Sequence, residues 1–474
     1  MRTTPLPRRS PHAQRDRSEP AANPPLTRSN QELWAQALAY AFLDGDWSVE
    51  GLVRRGDLVL GHRRPALRTL VQRILGAYPR PPWDRPRELA SWLALDPAFE
   101  SSAGLEVSGV PTHWLSFQPA MGEMRWPVPA IPTVGELAHF LGVTANDLAW
   151  FADVKSLESR VVEERLRHYR YRWVRKAAGG VRLIESPKVR LRGLQRQVLA
   201  TILNRVPMHP NAHGFIRGRS AVTYAREHSN ADVVVRIDLH NFFVSITAGR
   251  VYGVFRTAGY PESVAHALTG LTTSVMPRVV WQDAPRPPRS AEEIHEHFML
   301  GKRLASPHLP QGAPTSPALA NLCAHGLDRR MAGLAAGCSL RYSRYADDLA
   351  MSGSLNRPAV ARLIELIRQI AHEEGFKVND AKTLVMAAGH RQHLAGVVVN
   401  RTPNLERPAY DRLRAILHNA TRHGLDAENR AGHARFAEHL AGRVSWAVSL
   451  NQNRKTILER LLAQATTKRI GDPE

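Results

Sequence analysis

The run Val233–Leu239 (VVVRIDL) is short, β-branched and apolar, and it predicts a buried strand. Asp238 near its end interrupts the apolar pattern, and a buried charge has to be paired or bound to a metal. In Leu340–Gly353 (LRYSRYADDLAMSG), Leu340, Tyr342 and Tyr345 alternate with polar residues, and Leu349 and Met351 continue beyond. That pattern predicts a β-hairpin with Asp347 and Asp348 at its bend. Tyr171–Ile184 (YRWVRKAAGGVRLI) predicts another hairpin, turning at Gly179-Gly180 with Lys176 and Arg182 flanking the turn. Leu394–Val399 reads as a further apolar strand.

Helical spacing covers most of the rest. Ser29 and Glu32 form a capping-box pattern ahead of Trp34, Leu38 and Phe42. Residues 29–165 read as mostly helical, with a Pro/Trp-rich stretch between Tyr78 and Pro132. Within them, Thr133–Phe151 resembles a helix-turn-helix, but Leu148, Ala149, Trp150 and Phe151 make the second helix apolar, which predicts packing rather than DNA reading. Leu191, Leu194, Val198 and Ile202 form one stripe, with Arg190, Arg192 and Arg196 off it. Pro358–Glu374 is amphipathic and Gly375 is its C′ residue. From Pro408 the chain predicts a basic helical bundle: Tyr410, Leu413, Ile416 and Leu417 face inward, and Arg412, Arg414 and Arg422 do not. Residues 277–306, Pro-rich and charged, read as a surface insertion.

Composition narrows the function. With 474 residues the chain has room for two or three domains. Its 64 Lys+Arg against 43 Asp+Glu give a net charge of +21, which implies a polyanionic partner, most simply nucleic acid. Cys323 and Cys338 are too few for a disulfide framework. The N-terminus has no apolar signal region, and no run is long enough to cross a membrane, so a cytoplasmic location is expected. Residues 1–28, rich in Pro and Arg, read as a disordered basic arm.

The chemistry gathers at the carboxylates. Adjacent Asp residues repel each other and fit poorly in strands, a cost that divalent-cation binding would explain. Asp238 with Asp347 and Asp348 supplies what two-metal phosphoryl transfer needs, two Mg²⁺ ions ~3.5–4 Å apart that clamp the attacking and leaving oxygens. Lys176 and Arg182 can cradle a triphosphate, or they are ordinary exposed charge. In His213–Ser220 (HGFIRGRS), Gly214 and Gly218 permit tight turns, and Arg217 and Arg219 suit a nucleic-acid loop or a plain basic turn. Leu309–Pro317 (LPQGAPTSP) predicts a rigid loop whose Gln311-Gly312 pair can approach a base pair closely.

Five pieces now stand in order: the Asp238 strand, LPQGAPTSP, YADD at Tyr345–Asp348, the Lys382 segment and LAGVVVN. Together they resemble a reverse transcriptase palm, over about Tyr169 to Val448. The resemblance implies an α+β right-hand polymerase: fingers and an antiparallel-sheet palm over 166–400, a helical basic thumb over 401–474, and a helical N-terminal extension over 29–165. It implies that Asp238, Asp347 and Asp348, with the carbonyl of Leu239, are the metal ligands. Phe243 resembles the gate beneath the sugar, and Lys176 and Arg182 resemble the fingers residues on the triphosphate. Gln311 and Gly312 resemble the loop lining the template–nucleotide pair. Lys382 resembles the lysine near the pyrophosphate, and Tyr345 the residue beside the primer terminus.

Tyr224-Ala225-Arg226-Glu227-His228 is similar to the Asn-Ala-x-x-His element of retron enzymes, with Tyr for Asn. Of their late Val-Thr-Gly only Gly396 remains, while VVVNRTPNLERPAYDRLRAILHNATRHG is strongly retron-like, as is the ending on a thumb without endonuclease or RNase H domain. A retron-type enzyme implies dNTPs, a cognate structured noncoding RNA and its DNA copy as partners. It implies priming from an RNA 2′-OH and, for many such pairs, a nearby-encoded effector or toxin in anti-phage defence. His228, Arg217, Arg219, Arg412, Arg414 and Arg422 are the RNA- or primer-binding candidates. The competing readings are an intron-derived or untemplated defence polymerase, and an RNA-binding scaffold with dispensable catalysis.

Overall fold

In the computed structural model, residues 28–99, 105, 107–176, 179–286 and 290–467 are described; the expected basic arm lies outside them except for Arg28. The chain divides into two units, Met1–Ala120 and Met121–Glu474. In the first, helices span Arg28–Leu43, Val49–Leu60, Pro65–Ala77 and Pro86–Ala94. The first helix already includes Arg28, so Ser29 lies inside its opening turn and does not form the expected cap. Trp34, Leu38, Phe42, Leu52, Leu70, Ile74 and Leu89 fill this unit's core. Arg55 is buried among them and donates to the carbonyls of Ala41, Phe42 and Asp46 at 2.7, 3.0 and 2.7 Å. Three N–H groups of a buried guanidinium bonded to carbonyls follow the rule that buried polar groups are paired.

In the second unit, β1 (Tyr169–Arg175) and β2 (Val181–Pro187) form the expected hairpin. The other principal strands are β3 (Val233–Leu239), β4 (Arg341–Tyr345), β5 (Asp348–Gly353) and β6 (Val378–Ala387). They make an antiparallel sheet of order β4-β5-β3-β6. Period-two alternation gives β3 two unlike faces. Val235, Ile237 and Leu239 lie in the main core with Leu319, Leu327, Met331, Leu363 and Ile367. On the other face, Val234 joins Val222, Tyr224, Leu394 and Val397. That apolar cover stops short of Arg236 and Asp238, so this end of the sheet carries the charged residues.

The pair of helices within Thr133–Phe151 packs, as its apolar pattern requires: Leu137, Leu141, Leu148 and Phe151 are buried. The approach to the helix Glu262–Thr272 is so close that a Cβ on Gly270 would fall 1.8 Å from the Ala152 carbonyl oxygen. Residues 277–306 are not a surface insertion. They form helices Arg278–Gln282 and Ala291–Leu304. Val280, Leu300 and Leu304, with Met276, pack beneath Val181 and Leu183 of β2. A few buried positions among many charges hide this support from a local reading. Helices Arg407–His423, Phe436–Leu450 and Lys455–Thr467 form a separate bundle around Tyr410, Leu413, Leu417, Leu440, Val444 and Leu458.

A buried pair ties the first hairpin to the rest. His308, 1% exposed, places Nε2 2.9 Å from Glu185 Oε2 on β2 and Nδ1 2.8 Å from the Ser306 carbonyl. Burial opposes the imidazolium, but the Glu185 charge and both hydrogen bonds outweigh it and hold the His308 pKa above its ordinary value. A raised folded-state pKa gives stability that is complete below the unfolded value, ~6.5, and is lost as pH rises through the folded value. The melting temperature is therefore expected to fall as pH rises above ~6.5, and Glu185→Gln should flatten that slope. An unchanged slope in circular-dichroism melts of the variant would refute the assignment.

Candidate active site

The sheet register brings the acidic residues together. Asp238 of β3 is directly opposite Asp348 of β5, and the Leu239 amide donates to the Asp347 carbonyl at 2.9 Å. Asp347 sits in the tight turn between β4 and β5, after Ala346, whose φ of 56° is left-handed. That turn is braced from below. Arg344, fully buried, donates to the Ala346 carbonyl at 2.9 Å and to Asn321 Oδ1 at 3.0 Å. Two further bonds of 2.7 and 2.6 Å join it to both oxygens of the equally buried Asp328, which also accepts from Tyr342 Oη at 2.7 Å. Gly214 presses against the same turn, where a Cβ would meet the Ala346 nitrogen at 2.6 Å.

The carboxylates crowd one another. Burial first, then the charges of Asp238 and Asp348, pushes the Asp347 pKa above its ordinary value. Burial also raises Asp348, and Asp238 adds to this against the opposing pull of Arg236. Arg236 Nε donates to Asp348 Oδ1 at 3.2 Å. Lys382 Nζ lies 3.1 and 3.2 Å from the two Asp238 oxygens, and Asn379 Nδ2 donates to Oδ1 at 3.0 Å. With the acids so engaged, no three His, Cys, Asp or Glu groups among the described residues are arranged as a ready metal cage. The donors nonetheless fit hard divalent cations: all are oxygens, and the crowding that disfavours charge on Asp347 and Asp348 is what a bound cation would relieve.

One cavity joins Asp238, Leu239, Asp347 and Lys382 to Lys176, Arg182, Phe243 and Gln311. Burial, then the charges of Arg182 and Lys382, lowers the Lys176 pKa. Its Nζ donates to Asn241 Oδ1 at 3.1 Å. The Gln311 carbonyl accepts from the Glu185 amide at 3.0 Å, and Gly312, at φ 141°, leaves only enough room for the Glu185 carbonyl, 2.8 Å from where a Cβ would stand. Both contacts seat the Gln311-Gly312 loop against β2. Tyr345 is half-buried beside Tyr224, ring centroids 5.8 Å apart.

Two candidates for RNA contact are placed otherwise than expected. His228 is completely buried between Ser343 and Ser352, at 2.7 and 2.8 Å, and burial drives its pKa down to about 3. It is a neutral strut under the sheet, not an RNA contact. Arg219 directs Nη1 to the carbonyls of His209, Pro210 and Ala212, so it closes its own loop. Arg217 is exposed, and Arg412, Arg414 and Arg422 line the exposed side of helix Arg407–His423, outside the cavity. Sequence reasoning missed Arg236, Asn241, Asn379 and the Arg344–Asp328 pair. Arg236 was within reach, since alternation puts it on the Asp238 face of β3.

These parts define a nucleotidyl-transfer palm, and residues 174–408 match the family described as reverse transcriptase (RNA-dependent DNA polymerase). The chain is 39% identical over 336 residues to the retron Mx65 reverse transcriptase of Myxococcus xanthus, covering 71% of this chain and 72% of that one. It is 36% identical to the retron Mx162 enzyme of the same organism, over 63% of this chain and 62% of the relative. To the retron Ec86 reverse transcriptase of Escherichia coli it is 30% identical, over 57% and 72%. The chain belongs to the retron reverse transcriptases, and it is an RNA-directed DNA polymerase with an α+β polymerase fold. Among the described residues, no helix is long and apolar enough to cross a membrane.

Proposed function

We propose that this enzyme copies part of a cognate structured noncoding RNA into single-stranded DNA, priming from a 2′-OH of that RNA to leave a branched RNA–DNA product. The observation that carries the reading is the single cavity joining Asp238 and Asp347 to Lys176, Arg182 and Lys382. Asp238, Asp347, Asp348 and the Leu239 carbonyl would hold two divalent cations, Mg²⁺ by the hardness of the donors. Such ions, when bound, neutralise charge on the attacking and leaving oxygens.

The chain's own residues do the rest. Lys176 and Arg182 bind the triphosphate, and Phe243 closes the space under the sugar. Gln311 and Gly312, seated against β2, line the template–nucleotide pair, and Tyr345 flanks the primer terminus. Lys382 holds an ammonium proton within the cavity, where the leaving pyrophosphate gathers charge. Residues 166–400 serve as fingers and palm, 401–474 as a thumb whose Arg412, Arg414 and Arg422 meet RNA phosphates, and 29–165 as an extension. The setting is cytoplasmic anti-phage defence, with an effector encoded nearby.

The test is to express the gene with its native upstream flank, purify the protein and run its nucleic acid on a denaturing gel. A short discrete DNA that shifts on RNase treatment is expected, and it should vanish in an Asp347→Asn, Asp348→Asn control. RNA without DNA would point to a scaffold, and heterogeneous DNA without an RNA branch would point to untemplated synthesis; either sinks the proposal.

A further inference from the structure

Phe215 is an aromatic residue that the fold does not explain. It is 53% exposed, and its φ of 62° lies in the left-handed region, where a bulky side chain is a genuine outlier. Strained positions of this kind cluster at active sites, held there by surrounding structure that over-determines them. Here that structure is explicit. On the N-terminal side, the His213 amide donates to the Arg344 carbonyl at 2.7 Å, and the Gly214 carbonyl accepts from Asn321 Nδ2 at 2.8 Å. Gly214 itself is pressed against Ala346, one residue before Asp347. The backbone that strains Phe215 is thus bolted to the turn carrying the acidic pair.

The ring's neighbours show where it points. Its centroid is 6.2 Å from that of Phe243, which lines the cavity beside Lys176 and Arg182. It is 6.3 Å from that of Tyr345, two residues before Asp347. Phe215 therefore spans the interval between the side of the site that takes the incoming nucleotide and the side next to the acidic turn. An exposed ring fixed there has the chemistry of a stacking surface, which every base or sugar face can use.

We propose that Phe215 is a substrate-contacting residue that seats the last nucleotide of the growing strand, forming with Phe243 and Tyr345 a continuous aromatic floor beneath the two nucleotides being joined. The proposal rests on the active-site reading above. The ring's role is positional: it holds the terminal sugar and base so that the attacking hydroxyl stays aligned, and it takes no proton.

The test is incorporation of one nucleotide by the full-length enzyme on an RNA template annealed to a DNA primer, with melting temperatures measured in parallel. Phe215→Ala and Phe215→Gly are expected to slow incorporation or raise KM by about tenfold, the scale of one lost base–aromatic stack. Phe215→Gly should melt no lower than the parent, because glycine adopts the left-handed backbone freely. Phe215→Tyr should restore activity to within about twofold. The inference is overturned if Phe215→Ala keeps parental kcat and KM, or if activity is lost only in step with a lower melting temperature and Phe215→Tyr does not restore it. Asp347→Asn separates the two levels: activity retained in that variant fails the active-site reading itself, whereas activity lost there but intact in Phe215→Ala fails this inference alone.

Discussion

Asp347→Asn is expected to lower nucleotide incorporation by on the order of 10³-fold, about 4 kcal/mol of transition-state stabilisation, while leaving the fold intact. The same change should make the cation-free protein more stable. Burial and two neighbouring carboxylates raise the Asp347 pKa. The folded state therefore disfavours its charge, and that cost grows as pH rises above the ordinary carboxylate range. Removing the charge should raise the melting temperature by ~2 °C in chelator. Added Mg²⁺ should stabilise the parent and do less for the variant, because a ligand stabilises the state that binds it. Equal cation-induced shifts in the two proteins would show that Asp347 holds no cation.

Asp328→Ala is the second large effect, and it acts on folding. Arg344 and Asp328 are both fully buried, and Arg344 also supports the Ala346 carbonyl. Removing the acid leaves an uncompensated guanidinium in the core, at a cost of about 3–5 kcal/mol. That is a large share of the ~5–15 kcal/mol that holds a typical domain folded. The variant should be poorly soluble or melt far below the parent. Replacing both partners, Asp328→Leu with Arg344→Met, should recover most of the stability, since an apolar pair of similar volume leaves no orphaned charge. The double variant should still polymerise poorly, because the Ala346 carbonyl before Asp347 then loses its guanidinium donor. Parental activity in a folded double variant would show that the turn holds itself.

The acidic cluster was readable in the chain because carboxylates stand out against a local strand pattern. An aspartate in VVVRIDL and an Asp pair in an alternating hairpin violate strand preference, and such violations mark function. The hairpin at Gly179-Gly180 and the cap at Gly375 followed equally from local rules, with φ values of 89°, 75° and 76°. The misses have a common form. Residues 277–306 look like a surface segment because only a few positions face inward, and their partners on β2 are about a hundred residues away. His228 was assigned from its place in a retron-like element and Arg219 from a glycine-containing basic loop, and neither pattern reports burial.

By itself, then, the sequence determined the strand carrying Asp238, the hairpin carrying Asp347 and Asp348, their order and the polyanion-seeking charge, because periodicity and residue chemistry are local properties. Only the tertiary structure decided which cations face those acids. Lys382 reaches Asp238 across 144 positions and Arg236 reaches Asp348 across 112. It also decided that His228 is a strut and that Phe215 stands strained and exposed beside the acidic turn. Burial and backbone strain at one residue are set by chain segments remote in sequence, through strand register and close packing, and no local pattern encodes them.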